Sequence, residues 1–431
     1  MYIASIGFFA FFVIMLVARV PIGFAAGIVG FVGIGLIRGW PAATAAVSGE
    51  ILEVASYTFS VMPLFVLMGN FVTRGRLASD LYHAAFTFLG HRRGGLSAAT
   101  IVASAGFGAI CGSSMATAAT MAKVAVPQMR RLNYRDSFAA ASVAAGGTLG
   151  ILIPPSGIMV IYGIMTETSI GALFAAGLLP GLLACLLYLI ATGWTVLRDP
   201  EAGPPGALTT WPDRFKAVFD VWTVLLLFIV VMGGLYGGFF TATEAAGIGA
   251  AGGLLVAWAR RALTFQILKE VLIDSAKTTS MLFTIVIGAQ IFAHFLNFTS
   301  MPTDLRTAVQ YFGVTPLAVI ISICVAYVLL GCIMESMSML LLTVPIFFPL
   351  VVSLGMDPVW FGILIVCVIE IGLITPPVGM NVFVIRAIMP EVPGNAIWRA
   401  IAPYIAADVV RISMLIVFPS ITLFLPRLMK L

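Results

Sequence analysis

Charge is what this sequence has least of. Only 10% of its 431 residues are Asp, Glu, Lys or Arg, and it has three histidines. Ordinary soluble domains carry about 25% charge. A soluble globular enzyme, a disordered chain and a nucleic-acid binder are therefore excluded. The net charge of +5 does not argue for nucleic acid, because so few charges make it up. Cysteine is scarce too. Cys111, Cys185, Cys324, Cys332 and Cys367 all lie in apolar stretches, so they read as free buried thiols rather than a disulfide framework. No His/Cys/Asp/Glu spacing suggests a metal site. No nucleophile stands beside a base, and there is no Walker-type phosphate loop. Neither enzyme chemistry nor ATP-driven work is expected.

Apolar sequence fills the space left by charge: 61% of residues are hydrophobic and the mean hydropathy is +1.10. In lipid every backbone group must bond within its own segment, so the expected fold is an all-α polytopic membrane protein. About 20 apolar residues cross about 30 Å of hydrocarbon. Spans are read at 3–18, 22–37, 59–73, 137–165, 171–197, 221–239, 243–259, 279–298, 359–386 and 399–425. The first lacks a preceding basic region and is followed by Arg19, so it reads as a retained span. Segments 42–57 and 262–277 carry Glu50 and Glu53, or Lys269, Glu270, Asp274 and Lys277, and are expected to lie along the interface as arm helices.

Two stretches resist a single crossing. The stretch 96–127 is flanked on both sides by basic clusters, Arg92 and Arg93 before it and Arg130, Arg131 and Arg135 after it. Keeping both clusters on the cytoplasmic side makes it a re-entrant hairpin, with arms about 24 Å long at about 1.5 Å per residue. The stretch 315–351 has the opposite flanks, with Arg306 well before it and Asp357 after it, and reads as a second hairpin entering from outside. This arrangement leaves Arg38, Arg306, Arg427 and Lys430 outside and Arg411 within a span. The other basic residues, Arg76 among them, face the cytoplasm. Both termini are thus predicted to be periplasmic.

The halves resemble each other. IPPSG at 153–157 is matched by TPPVG at 375–379, 222 positions later. Gly171 and Pro180 are matched by Gly394 and Pro403, Asp80 and Leu81 by Asp304 and Leu305, and AAGI at 25–28 by AAGI at 245–248. The first repeat is expected over 1–200, a cytoplasmic connecting loop over 201–220, and the second repeat over 221–431. Each repeat holds five spans and a hairpin. Five is odd, so the copies face opposite ways, the signature of a secondary transporter with a site near the midplane.

Chemistry is expected at the hairpin tips and the proline pairs. The first tip, 106–120, offers Ser113 and Ser114 after Gly112, with small-residue helix packing as the competing reading. The second tip, 331–339, sets Glu335 in an apolar run with Gly331, Ser336 and Ser338 around it. A carboxylate at membrane depth marks function by default; a hydrogen bond locking the hairpin turn to a neighbouring helix is its structural alternative. The segments around Pro154 and Pro376 put two prolines mid-span and unwind the helix. Free carbonyls, with the side chains of Ser156, Thr375 and Asn381, suit a desolvated Na⁺, and half-helix N-termini suit an anion. Glu244 reads as a helix cap and Glu370 as structural or site-lining; His294, Asp408 and Arg411 are candidates for bonds between helices, with a local ion pair between Asp408 and Arg411 preferred.

At these motifs the chain resembles the large membrane subunit, of dicarboxylate-permease type, of tripartite ATP-independent periplasmic (TRAP) transporters. The resemblance rests on PLFVLMGNF (63–71), GAICGSSMATAATM (108–121), GILIPPSGIMVIYG (150–163), GGFFTATEAAGIGA (237–250), MESMSMLLLTVPIFFPL (334–350) and ITPPVGMNVFV (374–384). Two positions depart from it: Cys111 stands where serine is common, and Gly157 where a bulkier residue is usual. The resemblance implies an inverted-repeat elevator in the bacterial inner membrane, with two re-entrant hairpins and two broken helices. It implies import of an organic-acid anion, such as a C4-dicarboxylate or sialic acid, by Na⁺ symport. A periplasmic substrate-binding protein would deliver the substrate and a separate small four-helix membrane subunit would brace the scaffold. Carried over residue by residue, it places substrate and Na⁺ around Gly112, Ser113, Ser114, Pro154, Ser156, Gly331, Glu335, Ser336, Ser338, Thr375, Pro376 and Asn381. Na⁺ is expected near Ser113, Ser114, Pro154, Glu335, Ser336, Thr375 and Pro376. No organic cofactor and no nucleic-acid partner are expected; lipid is the surrounding medium. A stand-alone Na⁺-coupled anion symporter of related fold is the alternative within transporters. A channel or an intramembrane enzyme fits the motifs less well.

Overall fold

Helices built from apolar residues and broken at Gly, Pro and Ser make up this structure. The computed structural model describes residues 2–75, 77–299 and 301–429, and among them there is no β-strand. Arg76 and Lys430, used in the charge reading, lie outside the described residues. The first half comprises α1 (Tyr2–Leu16), α2 (Ile22–Arg38), α3 (Trp40–Val54), α4 (Val61–Arg74), α5 (Leu77–Leu89), α6 (Gly95–Cys111), α7 (Ser114–Arg131), α8 (Asp136–Leu152), α9 (Gly157–Met165) and α10 (Ile170–Arg198). After a linker come α11 (Trp211–Asp220), α12 (Trp222–Tyr236), α13 (Ala242–Ala259), α14 (Phe265–Phe298), α15 (Met301–Tyr311), α16 (Pro316–Gly331), α17 (Ser336–Ser353), α18 (Pro358–Ile374), α19 (Met380–Ile388), α20 (Gly394–Val417) and α21 (Ser420–Met429). Among the described residues, five helices (α10, α13, α14, α17 and α20) are long and apolar enough to cross a membrane unaided. The protein is an all-α polytopic membrane protein.

Both expected hairpins double back. Gly112 adopts a left-handed conformation (φ 65°, ψ 15°) that ends α6, and Ser113 caps α7 by accepting from Ala116 N at 3.4 Å. The bases of these arms meet, since Leu96 N donates to Tyr134 Oη at 3.1 Å. Gly94 N and Arg135 N reach the same strip of linker, Gly203 O and Ala202 O. In the second hairpin Tyr327 on α16 bonds Thr343 on α17, and its ring lies 5.9 Å from that of Phe347. Both proline pairs break their spans: α8 stops at Leu152 before α9, and α18 stops at Ile374 before α19. Pro154-Pro155 and Pro376-Pro377 are both cis.

Close packing recurs at matched places. Gly108 on α6 lies against Gly150 on α8 with no room for a Cβ. Gly331 on α16 lies against Gly372 on α18, where an added Cβ would meet the Gly372 Cα at 3.0 Å. The members of these two pairs are 223 and 222 positions apart. Elsewhere α2 packs along α14 through Gly23, Gly27 and Gly30, and α13 packs on α4.

Three expected boundaries are corrected. Segment 262–277 is not a separate arm, because α14 runs unbroken for 34 residues from Phe265 to Phe298. It contains no proline and a single glycine, so nothing stops the helix. Its charged end is matched by Arg74, 3.3 Å from Glu270 and 3.7 Å from Asp274. In the first half the corresponding arm α3 does separate, with a 54° bend before α4. The expected loop 201–220 ends in a helix, α11, opened by a capping box between Thr210 and Asp213; these hydrogen bonds hold the Asp213 carboxyl below its usual range. The span 399–425 is interrupted ahead of Pro419, which disfavours helix at Phe418 and splits α20 from α21.

Candidate functional site

Three helix N-termini converge on one cavity of about 500 Å³. The N-cap of α7 is Ser113, that of α9 is Ser156 and that of α17 is Glu335. Gly112, Ser113, Pro155, Gly157, Glu335, Met337 and Ser338 all line the space, closed on the far side by α4 and α14. The first tip rests on the first broken helix: a Cβ on Gly112 would lie 3.4 Å from Pro155 O. The second tip crosses over to the same place, with Met337 Cε 3.3 Å from where a Gly157 Cβ would sit.

Glu335 makes the second tip unlike the first. Its Oε2 accepts from Met337 N at 3.0 Å and Ser338 N at 3.2 Å, so the carboxylate caps its own helix. Ser113 occupies the equivalent place, 222 positions earlier. The expected structural alternative, a bond to a neighbouring helix, is replaced by a cap on the residue's own helix, and the same side chain also faces the cavity. Among the described residues lining the cavity there is no Lys, Arg or His, and Glu335 is the one charged side chain. Any positive potential there comes from helix N-termini, each equivalent to roughly half a charge.

The remaining candidates are placed less centrally. Ser114 and Ser336 are buried next to the two N-caps. Ser156 is fully buried and its hydroxyl donates to Ile151 O. Pro154 is buried behind Pro155, and Gly331 is taken up by the contact with Gly372. Thr375 Oγ1 donates to Ile371 O at 2.7 Å, and Pro376 O accepts from Cys332 Sγ at 3.1 Å. Asn381 is fully buried; its Nδ2 donates to Ala144 O at 3.1 Å and its Oδ1 has no protein partner. The structure therefore gathers Gly112, Ser113, Glu335 and Ser338 around one space, but not Thr375, Pro376 or Asn381.

Residues 9–421 match the family described as "Tripartite ATP-independent periplasmic transporter, DctM component". The chain belongs to the DctM family. It is 38% identical to a C4-dicarboxylate TRAP transporter large permease protein of Pseudomonas aeruginosa, covering 86% of each chain. It is 31% identical to a sialic acid TRAP transporter large permease protein of Vibrio cholerae, covering 87% of each. It is also 33% identical to an ectoine TRAP transporter large permease protein of Halomonas elongata, over 84% of this chain and 85% of that one. Its fold is similar to that of the Alcanivorax borkumensis YdaH transporter, with a TM-score of 0.62 at 13% identity, covering 88% of this chain and 89% of that one. The DctM-family chain is thus a TRAP large permease subunit, and its relatives are named as transporter components, not enzymes.

Within this DctM-family chain some cavity-lining polar groups went unread in the sequence. Asn70 on α4 lines the site and donates to Ser275 Oγ at 2.8 Å, and Thr278 follows on α14. The signal available for it is the lone asparagine in PLFVLMGNF. Asn70 also borders a second cavity of about 570 Å³ lined by Thr73, Arg74, Thr120, Lys123 and Asp274. Both departures from the family pattern, Cys111 and Gly157, line the first cavity.

Proposed function

We propose that this subunit imports an organic-acid anion across the bacterial inner membrane by Na⁺ symport, with both termini periplasmic. The observation that carries the reading is the meeting of three helix N-termini and one carboxylate around a space without basic side chains. The N-termini favour an anion. The carboxylate, the Ser113 and Ser338 hydroxyls and the carbonyls of the first proline break favour a hard cation beside it. A cation bound first organises the tips and lowers the cost of bringing in a second, negative ligand. The names of the relatives support an organic solute; selection among such solutes falls to a periplasmic binding protein that delivers it, and a small membrane subunit braces the scaffold. Residues 1–200 and 221–431 act as inverted repeats whose tips dip into the bilayer from opposite sides. The hairpins and broken helices form a transport unit that slides, elevator-fashion, past α2, α4, α13 and α14. The second cavity, sharing Asn70 with the first, is the release route on the side of Arg74 and Lys123.

The test is uptake into proteoliposomes holding both membrane subunits, with the binding protein added outside. Replacing Na⁺ by choline at constant membrane potential and proton gradient is expected to abolish accumulation. Undiminished accumulation would sink the coupling; undiminished uptake without the binding protein would favour a stand-alone symporter.

A further inference from the structure

Away from the cavity, a sealed polar cluster has no part in the reading above. Thr148 on α8, Tyr188 on α10, Glu370 on α18, and Asp408 and Arg411 on α20 are all fully buried. Arg411 Nη2 lies 2.7 Å from Glu370 Oε2 and 2.9 Å from Asp408 Oδ1, and donates to Cys367 O at 3.4 Å. Tyr188 Oη donates to Asp408 Oδ2 at 2.7 Å and shares a 3.1 Å hydrogen bond with Thr148. The local pair expected between Asp408 and Arg411 exists, but it belongs to a network across four helices.

The network has an internal symmetry. Glu370 lies 222 positions after Thr148, and Arg411 lies 223 after Tyr188. These are the offsets that relate the proline breaks and the glycine pairs. Each half thus joins its broken-helix span to the following long helix at the same place, by two hydroxyls in the first half and an ion pair in the second. Asp408 receives from both. Hydroxyls suffice to join the first pair of helices. Burying charge is costly unless every ion is well partnered, and within membrane spans such groups are rare, so the ion pair in the second half answers a further need. The broken segments differ in surroundings: residues 153–156 are buried, whereas residues 376–378 are exposed. Glu370 is two residues before Gly372, the α18 residue packed on Gly331 at the root of the second tip.

We propose that Arg411, clamped between Glu370 and Asp408, is a positioning residue that fixes the end of α18 and, through the contact of Gly372 with Gly331, seats the second tip so that Glu335 faces the cavity for the coupling ion. This inference rests on the Na⁺ reading given above.

The experiment is the Na⁺ dependence of uptake in proteoliposomes containing both membrane subunits and the binding protein. Glu370→Ala is expected to raise the half-saturating Na⁺ concentration about tenfold while maximal uptake stays within about twofold, each tenfold being about 1.4 kcal/mol. Glu370→Gln, which keeps an oxygen for Arg411, is expected to recover most of the shift. If Glu370→Ala does not yield folded protein, Arg411→Lys replaces it: the charge stays, the two-sided clamp is lost, and about a threefold rise is expected. The control is Thr192→Val, in the neighbouring buried hydroxyl cluster with Ser97 and Tyr404; it should leave the half-saturating value unchanged. A change in maximal uptake alone, or an equal shift in Thr192→Val, would overturn the proposal in favour of a general packing role. A wild-type protein indifferent to Na⁺ sinks the coupling reading itself, and this inference with it.

Discussion

The two helix breaks carry the same proline pair, yet they sit in opposite surroundings. Residues 153–156 are buried and Pro155 among them lines the cavity, whereas residues 376–378 are exposed and contribute nothing to its lining. The tips differ in the same sense, one capped by a serine and the other by a carboxylate. The helices behind them are joined by hydroxyls in the first half and by buried charge in the second. Duplicated architecture therefore does not imply duplicated chemistry. The glycine contacts that set the backbone recur in both halves, while the polar side chains have diverged. The second half holds the charge and the first holds the enclosure.

The largest effect that could break this comparison lies in the buried cluster. Arg411→Leu leaves Glu370 and Asp408 without their cation in a sealed site, and removing one partner of a buried pair costs about 3–5 kcal/mol. Its counterpart Tyr188→Phe removes one hydroxyl from the same network, an expected cost of about 1–3 kcal/mol. Thermal unfolding of the purified protein in detergent should show the larger fall for Arg411→Leu. Equal falls would mean that the two halves are held together in the same way after all.

Next in size come the two caps. Glu335→Gln keeps an oxygen for Met337 N and Ser338 N but removes the charge facing the cavity. A hydrogen bond to a charged group is worth about 1.5–3 kcal/mol, so uptake at limiting Na⁺ should fall by roughly tenfold or more. Ser113→Ala removes a neutral cap worth about 0.5–2 kcal/mol, and roughly a threefold loss is expected. Initial uptake rates at low and saturating Na⁺ would separate the two. A Ser113→Ala defect as deep as that of Glu335→Gln would erase the distinction between the tips.

Much of this was legible in the sequence because its signals are strong and local. Proline pairs, runs of small residues and basic flanks mark breaks and tips, and Glu335 stands out in an apolar run. Three things were hidden. The fusion of 262–277 into α14 followed from the absence of any stop signal, yet scattered charges imitated an interfacial arm. The partners of Arg411 were masked because Asp408, three residues away, offered a sufficient local explanation, whereas Glu370 and Tyr188 reach it only through tertiary packing. The separation of Thr375 and Asn381 from the cavity was also invisible, since the repeat makes both breaks look equivalent. Periodicity reports which residues correspond, but not which copy faces the shared space.

The smallest expected effect tests that last point on a matched pair of glycines. Gly157 and Gly379 are 222 positions apart, each following its proline pair. Gly379 has φ +54°, and an added Cβ would meet Trp398 Cη2 at 2.7 Å and Thr375 O at 3.2 Å. Gly379→Ala therefore forces a left-handed alanine, at about 1–2 kcal/mol, against atoms with little freedom to move. The midpoint of unfolding should drop while substrate affinity is less affected. Gly157 has no such backbone requirement; its Cβ would meet only Met337 Cε, at 3.3 Å. That is the free end of a side chain with three rotatable bonds, which can swing aside at little cost. Gly157→Ala should leave stability nearly unchanged and raise the KM for substrate by roughly twofold to threefold, because the displaced methionine intrudes on the cavity, as in mild overpacking. If Gly157→Ala instead destabilises the fold and leaves KM alone, the first break is a structural joint and the solute sits elsewhere.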